Sequence, residues 1–357
     1  MTAFPPPRIL AAILAPAAVL ALGIAAMPTP PSFSTSITGD RALGESLRPD
    51  FLEAGALDRA AVAVVDGINV TFTGFGAESD TEFEIGSITK AMNAQLFQDA
   101  IDRGEVRPTD RLEELLPELL GTPAGGVILR DLATHTSGLP GLPTDAGSML
   151  GVLLDSLRHQ NPYHVDTAEM ITLATAEELT TPGEYVYSNL GTALLGQALA
   201  RTAGIDYADL IRTRLFEPLG MGDTRVTTLP GEEGKNATTG FSATGVHENA
   251  WAIGGYVPAG GVRSTAADMS SYVVALLAGT APGMAALDPV PGTEGGLAWM
   301  ILDTETDQTL TVHNGQTGGF SSFLMLDREA GRGVITLSNT AAQHPAVAYN
   351  ILTGTEK

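Results

Sequence analysis

Strand patterns gather at the two ends of this chain, and helical patterns fill the middle. Residues 61–65 form a short apolar run, Asp66-Gly67 follows, and 70–73 are β-prone. An Asp-Gly step between two such runs predicts a hairpin. Near the other end, residues 297–302, 309–313, 322–326 and 333–337 are spaced like an antiparallel meander with turn residues between them. Helical periodicity occupies 112–120, 149–157, 167–176, 191–202, 207–216 and 266–277, and the Gly- and Thr-rich stretch 229–245 reads as a long loop. The economical arrangement is α+β: one antiparallel sheet formed from both chain ends, flanked by helices, with a large, mostly helical region inserted.

One further helix carries chemistry. It starts near Ser87, and its apolar positions Ile88, Ala91, Met92, Leu96, Phe97, Ala100 and Ile101 cover much of its circumference. Such a helix is expected to be buried, and Gly104 is a natural stop. Ser87 and Lys90 form an S-x-x-K pair, one turn apart on one face. A serine hydroxyl is a weak nucleophile that an adjacent amine can deprotonate. Burial disfavours the charged form of a lysine, which suits it to work as a base near neutrality. The chain has only three lysines (Lys90, Lys235 and Lys357), so Lys90 is not one of many surface charges.

Two later stretches follow in the order that this chemistry needs. Glu184-Tyr185-Val186-Tyr187-Ser188-Asn189 precedes a helix. Beside an ammonium group the Tyr187 phenolate is stabilised and can shuttle protons, and Asn189 has a donor and an acceptor for a substrate amide. By itself the stretch also suits a helix cap at Ser188 or Asn189 after a core tyrosine. Val312-His313-Asn314-Gly315-Gln316-Thr317-Gly318-Gly319-Phe320 ends a strand in polar and glycine residues. An edge strand there can supply the Gln316 backbone N–H to an oxyanion, with the N–H of Ser87 as second donor. By itself it also suits a Gly-rich hairpin with a solvated histidine.

Composition bounds the rest. The 357 residues, 44% hydrophobic and 17% charged, suffice for a sizeable core in one large domain or two intimately joined ones. A net charge of −22 argues against a general nucleic-acid or anionic-membrane surface. The absence of cysteine excludes disulfides, thiolate metal sites and a cysteine nucleophile. Neither metal-ligand spacing nor a nucleotide loop is present, so no metal or cofactor is expected. Arg8 precedes an apolar stretch over 9–26, closed by small residues, which predicts export. Its length leaves a cleaved signal peptide or a membrane anchor over 1–26 as alternatives. Residues 27–50, Pro-rich at first, read as linker, with one domain over 51–357.

The three stretches together resemble the penicillin-recognising serine hydrolases, a superfamily of serine β-lactamases, D-Ala-D-Ala carboxypeptidases and esterase relatives, and within it the class C-like branch. Ser87 and Lys90 match the family's S-x-x-K, Tyr187 and Asn189 its Y-x-N, and His313-Asn314-Gly315 its K-T-G or H-x-G element. Residues 129–140, 216–221 and 258–269 look like the family too. The resemblance implies an exported serine hydrolase with catalytic Ser87, Lys90 and Tyr187. It gives Asn189, His313, Gly315 and Gln316 to substrate binding, and peptidoglycan-like D-peptides, β-lactams or small esters as substrates. His135 is then a buried structural histidine. His313 stands where β-lactamases of this branch usually carry lysine, which leans the expectation toward a D-Ala-D-Ala carboxypeptidase or esterase. A β-lactamase proper and a penicillin-binding sensor without turnover are the alternatives. The segment before Ala61, broken by Pro49, and the segment after Thr340 suggest reduced terminal helices.

Overall fold

The computed structural model of the protein describes residues 30–293, 295–305 and 307–354. The leader or anchor expected over 1–26 lies outside these residues. Strands from both chain ends form one seven-stranded antiparallel sheet. The first three strands are β1 (Ile37–Gly39), β2 (Ala60–Asp66) and β3 (Asn69–Phe75). Four short strands follow: β4 (Glu82–Glu84), β5 (Arg225–Val226), β6 (Gly240–Phe241) and β7 (His247–Glu248), with β8 (Val262–Thr265) after them. The meander is β9 (Met300–Asp303), β10 (Thr309–Gln316), β11 (Ser321–Asp327) and β12 (Arg332–Ser338). The sheet order is β1-β3-β2-β12-β11-β10-β9, so the last strand of the chain pairs with the early hairpin and closes the sheet. Asp66 faces Asn69 across the β2–β3 turn, where Gly67 takes a φ of 58°.

Among the described residues, the helices of eight or more residues are α1 (Arg41–Glu53), α2 (Ile88–Asp102), α3 (Ala146–Leu157), α4 (Thr167–Ala174), α5 (Asn189–Ala203), α6 (Ala266–Leu277) and α7 (Pro345–Thr353). Side chains alternate across a strand, and β2 shows what that does here. Ala61, Ala63 and Val65 join the large core of α2, α5 and α6, while Ala60 and Val62 join a second core with Phe51 of α1 and Val347 and Leu352 of α7. A sheet covered on both faces needs strands that are apolar on both sides, which is why residues 60–63 are fully buried.

One expectation changes. From Phe33 onward the stretch read as linker is part of the packed domain, with Phe33, Leu47 and Phe51 buried and β1 paired to β3. Both terminal helices, which the sequence suggested are reduced, are present: α1 runs for 13 residues through Pro49, and α7 for nine. Three aromatic rings (Phe33, Phe51 and Phe75) packed at centroid distances of 4.9 to 5.8 Å hold α1 to the sheet, a contact that propensity alone does not reveal. The stretch 229–245 is the long loop that was expected, with only β6 inside it, and it is tied down: Thr238 N–H donates to the Glu82 carbonyl and Phe241 N–H to the carbonyls of Gly319 and Asn339.

Candidate active site

Ser87 occupies the turn between β4 and α2, with Lys90 on the first turn of the helix. Residues 88–97 are buried without a break, so the helix that carries the lysine is encased in the core. Lys90 has no exposed surface. Its Nζ lies 2.9 Å from Ser87 Oγ and donates to the Ala259 carbonyl at 2.5 Å. Burial pulls the amine down from its usual range to about 7. The sequence suggested this pair from spacing; the Ala259 carbonyl, which aims the amine, has no side-chain signature to read.

Tyr187 reaches the same hydroxyl from the other side. Its phenol donates to Ser87 Oγ at 2.6 Å, and Lys90 Nζ sits 4.8 Å from its ring centroid. The segment is pinned by Val186 N–H donating to the His135 carbonyl at 2.8 Å and Ser188 N–H to His135 Nδ1 at 3.2 Å. Ser188 then caps α5, accepting from Gly191 N–H at 2.9 Å. The cap reading and the active-site reading of this stretch therefore hold side by side. Burial pushes the phenol up, well beyond its usual range. Tyr187 keeps 41% of its surface exposed, which tempers that shift without reversing it. Burial thus favours the neutral form of both groups, an amine that can take a proton and a phenol that can give one.

The hydroxyl opens into a cavity of about 200 Å³ lined by Tyr163, Tyr187, Asn189, Trp251, Tyr256 and Gln316 among others. Among the described residues, none that lines it is charged. Asn189 Nδ2 donates to the Tyr163 phenol at 3.0 Å, which leaves its carbonyl oxygen for another donor. Tyr163 packs against Trp251 and Tyr256 at centroid distances of 5.3 and 5.0 Å, forming an aromatic wall. These three rings come from connecting segments with no periodic pattern, and the sequence reading missed them.

The third stretch forms the far side. Strand β10 extends through Gln316, three residues past the end expected from the sequence. Thr317 N–H donates to the Phe320 carbonyl, so by antiparallel alternation the N–H of Gln316 points away from β11, past the end of β9. That edge faces Ser87: a methyl group placed on Gly86, whose φ is 50°, would come within 2.7 Å of Gln316 N. Gly315 does not line the cavity. It lets β10 approach the Ile85 carbonyl so closely that any side chain would collide with it. His313, expected at the far end of a substrate, is also outside the lining. It is buried, with Nδ1 2.8 Å from the Asn314 carbonyl. Burial pushes it down to about 4, so it is neutral. Its partner across the ladder is Leu324, so His313 lies on the sheet face that packs into the core of α2, α5 and α6, and it is buried there. His135 is the buried, hydrogen-bonded residue that was expected, and burial first, then the Lys90 charge, lowers it to about 3.

An α+β fold with a serine hydroxyl held between a buried amine and a phenol defines a serine hydrolase. The Beta-lactamase family model matches residues 49–353, and the chain belongs to that family. It is 30% identical over 278 residues to the D-alanyl-D-alanine-carboxypeptidase/endopeptidase AmpH of Escherichia coli K12, covering 73% of this chain and 67% of that one. It is 27% identical over 318 residues to a beta-lactamase of the same organism, covering 76% and 80%. A class C beta lactamase from Rhodobacter sphaeroides shares the fold with a TM-score of 0.74 at 22% identity, covering 88% of this chain and 99% of that one.

Proposed function

We propose that this serine hydrolase works through an acyl-enzyme on Ser87 and acts on D-peptide or ester carbonyls, nearer to a D-Ala-D-Ala carboxypeptidase or esterase than to a dedicated β-lactamase. The observation that carries the mechanism is Ser87 Oγ placed 2.9 Å from Lys90 Nζ and 2.6 Å from the Tyr187 phenol. Neutral Lys90 takes the hydroxyl proton as Oγ bonds to the carbonyl carbon. The developing oxyanion accepts from the N–H groups of Ser87 and Gln316. Tyr187 gives its proton to the leaving group as the carbonyl re-forms and recovers one from the Lys90 ammonium. Water then attacks the ester, with the same groups in reverse. Asn189 orients an amide of the acyl group.

The substrate lean rests on charge. A cavity lined, among the described residues, by no charged side chain, with His313 buried and neutral, offers a substrate carboxylate little. That favours neutral esters over substrates that carry a carboxylate, C-terminal D-peptides and β-lactams alike, so the charge argument leans toward the esterase end of the proposal. Export from the cytoplasm is part of the proposal and rests on the pattern of residues 1–26. The test is to incubate the protein with a p-nitrophenyl ester and with a fluorescent penicillin, following absorbance and intact mass together. Ester turnover with slow loss of a penicillin adduct is expected, both signals vanishing in Ser87→Ala. Fast penicillin turnover would instead mark a β-lactamase, and an adduct that persists with both compounds a sensor.

A further inference from the structure

Trp251 forms part of the wall of the catalytic cavity, yet the segment that carries it is irregular: residues 249–253 belong to no helix or strand. Something else has to hold the indole in place. Two hydrogen bonds go to another connecting segment. Asn249 N–H donates to the His159 carbonyl at 3.2 Å, and the Ala252 carbonyl accepts from Asn161 Nδ2. The third is different in kind. Trp251 N–H donates to Glu84 Oε1 at 2.8 Å, and Glu84 ends β4, on the stretch that runs straight into Gly86 and Ser87. Among the described residues, it is the hydrogen bond that ties 249–252 to a strand or helix.

Glu84 is itself held. It faces Arg263 across the β4–β8 ladder, and Arg263 Nη1 donates to the same Oε1 at 2.8 Å while its Nε donates to Glu82 at 2.7 Å. Glu82, Glu84 and Arg263 are 2%, 3% and 1% exposed, so water does not compete for these contacts. A hydrogen bond to a charged, buried acceptor is short and strong, and its geometry is fixed. The wall at Trp251 and the nucleophile at Ser87 are thus referred to one carboxylate.

We propose that Glu84 is a positioning residue: its carboxylate fixes the distance between Trp251 and Ser87 and thereby sets how large an acyl group the cavity accepts. It touches no reacting atom and acts through the Trp251 backbone. The inference rests on this cavity being the place where the acyl group sits.

Two variants separate reach from charge. Glu84→Asp keeps the charge but draws the carboxylate back by one C–C bond, about 1.5 Å. The long Arg263 side chain can follow it, whereas the Trp251 N–H loses its acceptor. Glu84→Gln keeps the reach and an acceptor oxygen but loses the charge. The chain has two tryptophans, so ¹⁵N-tryptophan labelling gives two backbone amide signals, assigned by Trp299→Phe. The second readout is the ratio of kcat/KM for p-nitrophenyl phenylacetate, whose ring needs the wall, to that for the small acetate.

Glu84→Asp is expected to move the Trp251 amide upfield, to leave Trp299 in place, and to lower the ratio on the order of tenfold, chiefly through the KM of the phenylacetate. Glu84→Gln is expected to lower the melting temperature and keep the ratio near that of wild type. Three results overturn the proposal: a Trp251 amide that stays in place in Glu84→Asp, a ratio unchanged there, or a ratio that falls as far in Glu84→Gln, which would mark an ion pair with a structural role alone. Should Glu84→Asp not fold, the ratio in Glu84→Gln decides: kept, it supports the tie, and lost, it overturns it. The amide readout needs no turnover, so a failure of the proposed activity is told apart from a failure of the tie.

Discussion

Helix α3 is more apolar in sequence than α2, yet α2 is the one that is buried. Helix α2 is buried continuously from Ile88 to Phe97, whereas α3 has no buried residue and exposes Met149, Leu150, Leu153, Leu154 and Leu157. The difference lies in their neighbours. Helix α2 is enclosed by α5, β10, β11 and the turn at 257–260, while α3 stands on the surface of the inserted region, capped by Asp145. A nucleophile and its base have to stay within a few tenths of an ångström of one geometry, and the enclosed helix supplies that rigidity. Burial also does chemistry, because the desolvation that fixes Lys90 lowers its proton affinity.

The sharpest way to break this contrast is at Ser87. Ser87→Ala is expected to cut ester turnover by roughly 10⁴-fold or more while the circular dichroism spectrum and melting temperature hold. Lys90→Met is expected to lose nearly as much activity, because the two groups act as a unit. It should also raise the melting temperature at neutral pH. The sign follows from linkage: with Lys90 near 10.5 unfolded and about 7 folded, the unfolded chain holds more protons between those values. Wild-type stability therefore rises with pH across that window, and the variant should lack that component of the slope.

Packing gives the next effects in size. Phe97→Ala, in a side chain with no exposed surface, is expected to cost about 3–5 kcal/mol by chemical denaturation. Leu153→Ser on α3, a residue 55% exposed, is expected to stay within about 0.5 kcal/mol. A large loss for Leu153→Ser would mean that α3 is packed in solution and that the contrast fails.

The same contrast explains what could be read in the chain. Ser87, Lys90, Tyr187 and Asn189 are legible because each chemical pair lies within one helical turn or one short segment. The early hairpin, the meander and α6 are legible because strand and helix periods differ. The Ala259 carbonyl, the aromatic wall of Tyr163, Trp251 and Tyr256, and the buried seat of His313 depend on contacts between distant segments. A local pattern carries no trace of those. Residues 33–50 were misread for a related reason: Pro49 argues against a helix locally, and burial of Leu47 and Phe51 against the sheet outweighs it.

The most direct test of the central claim is the pH dependence of kcat/KM for a p-nitrophenyl ester, corrected for spontaneous hydrolysis. If neutral Lys90 is the base that activates Ser87, activity should rise with pH through a single ionisation near 7 and then level off. A profile that stays flat from pH 8 down to pH 5 would contradict it, because Lys90 would then be charged over most of that range and some other group would have to take the proton.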